Sequence, residues 1–531
     1  MASVDYWADP PMQRQQRALF APTLDSMISP DDPVRLVDEI LSGLDWTAWE
    51  AEYNGARGQP PIHPRIVAAA MLYGLCRGIR STRKLQEACC YRVDFLWLVE
   101  GRQIDFTTFA KFRTRFGRQL KDLFRQLGRL AMSLGLVRLG EVAFDGTRVK
   151  ANNSRYNTRT AKTLAEKLAA LDARFDQMLS EWDAVEAQRR LESADDSPTQ
   201  LPGPLADLDE RRKRIRNALA KARALEEVRR KDGIDPAKNP GQVPMHDPES
   251  RVMPNKEGGY APNYTPTATT DGHRGFIVDC EVVGEVNETP QAVPSVDRIA
   301  ETFGQQPERF LTDSGNVSGL VQQGMEARGI EFFAPVESNQ PQPGNPAQRD
   351  DPTQPVAEAE WSALPRNPQG QLDRSCFVYR PEQDSYYCPL GQALPFAETK
   401  PDVQQGQRVQ RRIYRCQACA GCPLAAQCVS PKSKRGRTIT RDEFEEVRER
   451  TAARMSTPAA REIYNQRPRI AETTFGILKA VFGLRQFLLC GLEKVRVEWR
   501  WATTAFNLKK LVTNIARLRA EFTALALETE V

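Results

Sequence analysis

Leu164, Leu168, Leu171, Phe175, Met178, Trp182 and Val185 alternate spacings of four and three, the period of two helices packed along a seam. Pro202-Gly203-Pro204 breaks the run, and Leu208, Ile215, Leu219 and Ala222 supply the inward face of a returning helix. The pattern predicts an antiparallel helical hairpin over residues 155–232. Its position constrains the fold, because the hairpin interrupts a set of strands. Glu141-Val142-Ala143-Phe144-Asp145-Gly146-Thr147 reads as a short buried strand before it. Strands return at residues 264–270, 275–283, 309–315 and 330–336, with helices at 293–303 and 317–328; residues 233–256, rich in Pro, Asn and Asp, read as a loop. Such a chain has to close one discontinuous α/β core around an insertion.

The order is strand, insertion, strand, strand, helix, strand, helix, strand. Two of these strands end in an aspartate, Asp145 after Val-Ala-Phe and Asp313 after Phe-Leu-Thr. One Asp-Gly after a strand is an ordinary turn. Two, in the first and fourth strands of this order, match a ribonuclease-H-like mixed sheet, where neighbouring strands hold two carboxylates side by side. Adjacent carboxylates repel unless a hard cation lies between them. That is the requirement of two-metal phosphoryl transfer. A third carboxylate is expected from a later helix, where Glu472, Phe475 and Lys479 share a face at spacings of three and four. Read alone, that helix is better explained as an amphipathic helix with a surface Glu–Lys pattern.

Residues 1–135 read as helical. Pro64 and Ser81 suit helix starts, and Asp105 or Thr107 suits the start of a third helix with Phe109, Phe112 and Phe116 on one face. Lys111, Arg113 and Arg115 project elsewhere. Short capped helices with a basic last member fit a helix-turn-helix-like DNA-binding region, or a plain helical bundle.

Charge and cysteine usage point the same way. Residues 401–441 hold nine Lys or Arg against one acid, and residues 451–520 thirteen against four, inside a chain of net charge +5. A basic C-terminal third suits a polyanion or a solvated surface. With three histidines, far apart, a multi-histidine metal site is not expected. Six of the eleven cysteines fall between Cys376 and Cys428. Cys388, then Cys416-x2-Cys419-x2-Cys422-Pro-Leu-x3-Cys428, have the spacing of a structural zinc site rather than a catalytic one, or are a set of free thiols left from such a cluster. Lys432, Lys434, Arg435 and Arg437 follow and suit DNA phosphates. No stretch approaches the ~20 apolar residues of a membrane span, and the N-terminus lacks a secretory pattern. A cytoplasmic protein with no membrane partner is expected.

Phe-Asp145-Gly-Thr, Leu-Thr-Asp313-Ser-Gly and Tyr464-x2-Arg467-x4-Glu472-x6-Lys479 resemble the three blocks of bacterial insertion-sequence DDE transposases, most closely the insertion-sequence 1182 family. His63-Pro-Arg-Ile, Phe106-Thr-Thr-Phe-Ala-Lys-Phe-Arg and Val481-Phe-Gly-Leu-Arg485 extend the resemblance over roughly residues 15–520. It implies that Asp145, Asp313 and Glu472 bind two Mg²⁺ (or Mn²⁺). It also implies that Tyr464, Arg467, Lys479 and Arg485 line the DNA backbone, with Arg469 competing for the arginine role. Cys388, Cys419, Cys422 and Cys428 would be the zinc ligands, leaving Cys416 spare.

The domain organisation expected is a helical DNA-binding region (1–135), the first core strand (136–154) and the inserted hairpin (155–232). The remaining core (233–336), a Cys-rich insertion (337–440) and C-terminal helices carrying Glu472 (441–531) follow. The function expected is binding of terminal inverted repeats, with Mg²⁺-dependent cleavage and strand transfer into target DNA by a homodimer or higher multimer. The alternatives are a metal-dependent nuclease without strand transfer and an inactive, domesticated DNA-binding protein.

Overall fold

The computed structural model describes residues 22–53, 60–192, 203–231, 233–255, 258–335, 344–404, 407–430, 433 and 435–529. Residues 1–21, most of the break between the hairpin helices, and Lys432 and Lys434 of the basic run therefore lie outside the described residues. The chain divides into two units, residues 124–503 and residues 1–123 with 504–531.

In the larger unit, β1 (Glu141–Gly146) precedes the hairpin helices α1 (Ala161–Glu192) and α2 (Gly203–Lys231). Then come β2 (Tyr260–Asp271), β3 (Ile277–Val283), α3 (Ala292–Phe303), β4 (Arg309–Leu311), α4 (Gly319–Glu326) and β5 (Glu331–Phe333). The sheet runs β3-β2-β1-β4-β5; β2 is antiparallel to β1 and β3, whereas β1, β4 and β5 are parallel. Parallel neighbours need crossovers, and α3 and α4 supply them. The architecture is mixed α/β.

Side-chain alternation explains the layers. Phe144, Phe310 and Phe332 stack across β1, β4 and β5 on one face, with ring centroids 5.8 and 6.3 Å apart. Ala143, Leu311 and Phe333 face the other way, against Ile470 and Ala471 of α5 (Arg467–Ala480). β2 is buried on both faces although it is rich in threonine, so its hydroxyls need partners. Thr269 Oγ1 meets Ser295 Oγ at 2.6 Å, Thr270 bonds to Thr474, and Thr265 donates to the Glu285 carbonyl.

The hairpin stands between β1 and β2. Ala161, Leu164, Ile215, Leu219 and Ala222 form its core, with Leu168 and Leu171 packed against them. Arg212 covers the Phe175 ring at 3.9 Å and pairs with Asp172 at 2.6 Å. The expected seam does not run to its end, since Val185 is 61% exposed. The loop expected over 233–256 contains two strands. Gln242–Pro244 pairs with Thr158–Thr160 to close the hairpin's base, and Arg251–Pro254 extends the main sheet along β2. Local composition gave no sign of either, because their partners lie far off in sequence.

The Cys-rich insertion carries an antiparallel five-stranded sheet, Val378–Arg380, Ser385–Tyr387, Ala393–Gln404, Gln407–Arg415 and Thr438–Asp442. Arg441, expected to begin a helix, lies in the last of these strands, paired with Arg412. The helices begin at Glu445 and end with α6 (Leu492–Thr529).

In the smaller unit, Asp32, Ser81 and Asp105 cap helices Pro33–Ser42, Thr82–Tyr91 and Phe106–Arg115. Helix Pro64–Cys76 approaches Thr82–Tyr91 through Gly74, where a Cβ would lie 2.8 Å from Leu85 Cδ1. Trp49 stacks on Phe112 and Phe116, and the later part of α6 joins this unit through Ala505 and Arg519, which meet Cys76 and Glu39. Among the described residues, no helix is long and apolar enough to cross a membrane.

Candidate active site

Ala143 of β1 and Leu311 of β4 are register partners in a parallel pair. Two residues further on, alternation returns each chain to the same face, so Asp145 and Asp313 emerge side by side at the C-terminal edge of the sheet. That face is the one α5 covers. Ile470 and Ala471 seat the helix, and its first residue, Arg467, reaches over the edge. Arg467 Nη2 lies 3.0 Å from Asp145 Oδ2 and 3.8 Å from Asp313 Oδ2. Its side chain is 10% exposed, that of Asp145 15% and that of Asp313 39%.

Burial pushes the Asp145 carboxyl up to about 6, the charges of Asp313 and Glu288 adding to it. Arg467 and the Gly146 N–H, which donates to Asp145 Oδ1 at 2.8 Å, oppose the rise without cancelling it. Asp313 is oriented by Asn316 Nδ2, which donates to Oδ1 at 2.9 Å. Asn316 is buried and lies 3.1 Å from Thr289 Oγ1. The Tyr464 hydroxyl is raised by burial, within the fields of Arg467 and both aspartates. Lys479 Nζ reaches Thr147 Oγ1 at 2.5 Å, in the turn after β1.

The structure thus brings together Asp145, Asp313, Arg467 and Tyr464, and anchors Lys479 beside them. Arg467, not the exposed Arg469, faces the aspartates. Glu472 is exposed on α5, about 100° around the helix from the seated Ala471. Among the described residues it makes no ion pair or hydrogen bond with either aspartate, and no three His, Cys, Asp or Glu side chains converge closely enough to hold a metal ion. The aspartate pair nevertheless suits a hard cation. Its donors are all oxygen, two acids crowd one edge, and a guanidinium already stands between them as the cation.

Arg485 is exposed, its carbonyl accepting from Lys150 N at 3.2 Å. In the smaller unit, Lys111 is exposed and Arg113 half-buried, while Arg115 lies over the Tyr53 ring at 5.0 Å. The sequence reading missed Glu288 and Thr289. Asn287-Glu288-Thr289-Pro290 reads only as a helix start, and nothing local ties it to Asp145.

Cys388, Cys416, Cys419, Cys422 and Cys428 share one apolar cluster with Tyr414, Leu424 and Ile439. Burial raises Cys416 and Cys428 to about 12 and raises Cys388, and the thiols lie within one another's fields. The Arg437 N–H donates to Cys419 Sγ at 3.4 Å. The preceding Gly436 has φ 81°, and a Cβ there would fall 2.7 Å from the Cys416 carbonyl oxygen. All five thiols are free.

Two segments match family models. Residues 387–512 match a transposase DDE domain, and residues 22–115 match a transposase domain, DUF772. The first spans the block from Tyr464 to Lys479 and the five thiols. Asp145 and Asp313 lie outside both. No curated protein and no solved structure matches the chain.

Proposed function

We propose that this chain, whose two matched segments support an insertion-sequence DDE transposase, cuts and rejoins DNA at the edge where Asp145 and Asp313 meet. The observation that carries the reading is the aspartate pair sharing the Arg467 guanidinium. The sheet order β3-β2-β1-β4-β5, with an antiparallel first half and a parallel second half, supports a ribonuclease-H-like core. In this reading Asp145 and Asp313 hold the divalent ions, Mg²⁺ or Mn²⁺, and Glu472, exposed on α5 in the metal-free chain, becomes the third ligand once α5 turns it toward them. When bound, the ions supply the positive charge that activates the attacking oxygen and stabilises the leaving one.

The protein's own groups do the positioning. Asn316 fixes the Asp313 carboxylate, and the Gly146 N–H fixes that of Asp145. Arg467, released from the aspartates, is placed to take a DNA phosphate, and Lys479, Tyr464 and Arg485 flank the same strand. Lys111, Arg113 and Arg115, inside the matched segment 22–115, contact the terminal inverted repeats. Joining two element ends requires them in one complex, so a homodimer or higher multimer is the working form, acting on DNA in the cytoplasm. The thiol cluster holds a structural zinc through Cys388, Cys419, Cys422 and Cys428, which gives up protons on binding.

Strand transfer with the element's own end sequences in Mg²⁺ tests the reading. Wild-type protein should give joined product, and Asp145→Asn and Asp313→Asn should give neither cut nor joined product. Cleavage without joining would favour a nuclease. No cleavage by wild-type protein that still binds the ends would favour the inactive DNA-binding alternative.

A further inference from the structure

Arg467 opens α5, which is an awkward place for a cation. A helix N-terminus carries the positive end of the backbone dipole, so the guanidinium is repelled by its own helix. The residue is buried, and its Nε is buried without a hydrogen-bond partner. Nη2 donates to Asp145 Oδ2 at 3.0 Å, whereas its 3.8 Å approach to Asp313 Oδ2 is too long for a hydrogen bond. A buried guanidinium with an orphaned donor and one good acceptor is incompletely satisfied. What keeps it in place is the negative charge of the two aspartates.

The aspartates do not depend on Arg467 for their orientation. On each, Oδ1 has its own donor, the Gly146 N–H on Asp145 and the Asn316 amide on Asp313. The oxygens that Arg467 meets are the two Oδ2 atoms, so the guanidinium fills the place between the carboxylates that a cation would take. It also excludes the other charged group of α5. Glu472 lies five residues on, about 140° around the helix from Arg467, and is exposed. One rotation of α5 directs Arg467 at the pair and another directs Glu472 there, but none directs both.

We propose that Arg467 is a latch on the cation site. In the DNA-free protein its guanidinium stands in for the divalent ion. A DNA phosphate that draws it away opens the aspartate pair and frees α5 to bring Glu472 round, so DNA and divalent ions bind cooperatively. This rests on the reading of the aspartate pair as the divalent-cation site. A phosphate is the right competitor, because it accepts two parallel N–H bonds from one guanidinium and satisfies donors that the aspartates leave unused. The coupling is reciprocal: an ion that displaces Arg467 makes it available to DNA.

Mn²⁺ binding to the full-length protein, followed by the electron paramagnetic resonance of free Mn²⁺, tests this without an activity readout. Without DNA, Arg467→Gln should bind Mn²⁺ about tenfold more tightly than wild type. Arg469→Gln, which removes an exposed charge from the same helix, should stay within about twofold. Adding a duplex of the element's own ends, with the Mn²⁺ held by that DNA alone subtracted, should tighten wild type about tenfold and leave R467Q within about twofold. Should R467Q not fold, Arg467→Met, which keeps the packed stem and removes the charge, carries the same expectation. If R467Q binds Mn²⁺ no better than wild type while D145N and D313N lose it, the aspartate pair stands and the latch is overturned. Equal gains in R467Q and R469Q would reduce the effect to net charge and overturn it as well, and so would a wild type whose Mn²⁺ affinity DNA leaves unchanged. If D145N and D313N bind as wild type does, the aspartate reading fails, and this inference fails with it.

Discussion

Burial acts on Asp145 more strongly than its arginine partner does, and that imbalance is measurable. The carboxyl sits near 6 against an unfolded value of 3.8, so the folded state binds a proton more tightly than the unfolded chain between those limits. The stabilisation is fully present below 3.8 and is lost as pH rises through about 6, a change of about 3 kcal/mol at roughly 1.4 kcal/mol per pKa unit. Metal-free protein should therefore lose stability from pH 4 to 6.5, and Asp145→Asn, which keeps a neutral side chain there, should lose less. Melts in a chelating buffer across that range check this, and parallel curves for the two proteins would contradict it. A divalent cation should reverse the trend for wild type above pH 6, because the ion needs the ionised carboxylate. Asp145 and Asp313 were legible in the sequence because each ends an apolar strand. The approach of Glu288 to Gly146 was not, because only the tertiary packing of its turn brings the two together.

At the scale of elements, the hairpin and α5 show where periodicity suffices and where it stops. The hairpin's spacing identifies both helices and most of their buried residues, since the two helices pack on each other and need no distant partner. Leu164, fully buried at its base, is a test. Leu164→Ala should cost about 2–5 kcal/mol locally. Hydrogen exchange should then speed up in α1 and α2 but not in β1 or β2, and uniform loss of protection would show that the hairpin is part of the core's cooperative unit. For α5 the same reasoning groups Glu472 with Lys479. The structure instead seats the helix on Ile470 and Ala471, turning Arg467 to the aspartates and leaving Glu472 exposed. Which residue of an amphipathic helix meets a site depends on how the helix rotates against the sheet, and its own sequence leaves several rotations open.

Over the whole molecule, the net charge of +5 averages an acidic first 400 residues with a basic remainder, which holds most of the segment matching a transposase DDE domain. That remainder also contains the thiol cluster, which the proposed structural zinc would tie together. Elemental analysis of purified protein should find about one zinc per chain. Cys419→Ser and Cys422→Ser should lose it and expose the 378–442 sheet to proteolysis, and variants with unchanged zinc would remove those thiols from the site. By itself the sequence determined the hairpin insertion, the chain order of five core strands, the strand-end position of the two aspartates and the clustering of cysteines, because each is written in local period, strand-end chemistry or spacing. Only the tertiary structure decided that Arg467 stands between the aspartates, that Glu288 rests against Gly146, and that strands close the hairpin's base and build the Cys-rich insertion. Those outcomes depend on residues brought together from far apart in the chain, where burial and register, rather than any neighbour in sequence, determine which charges meet.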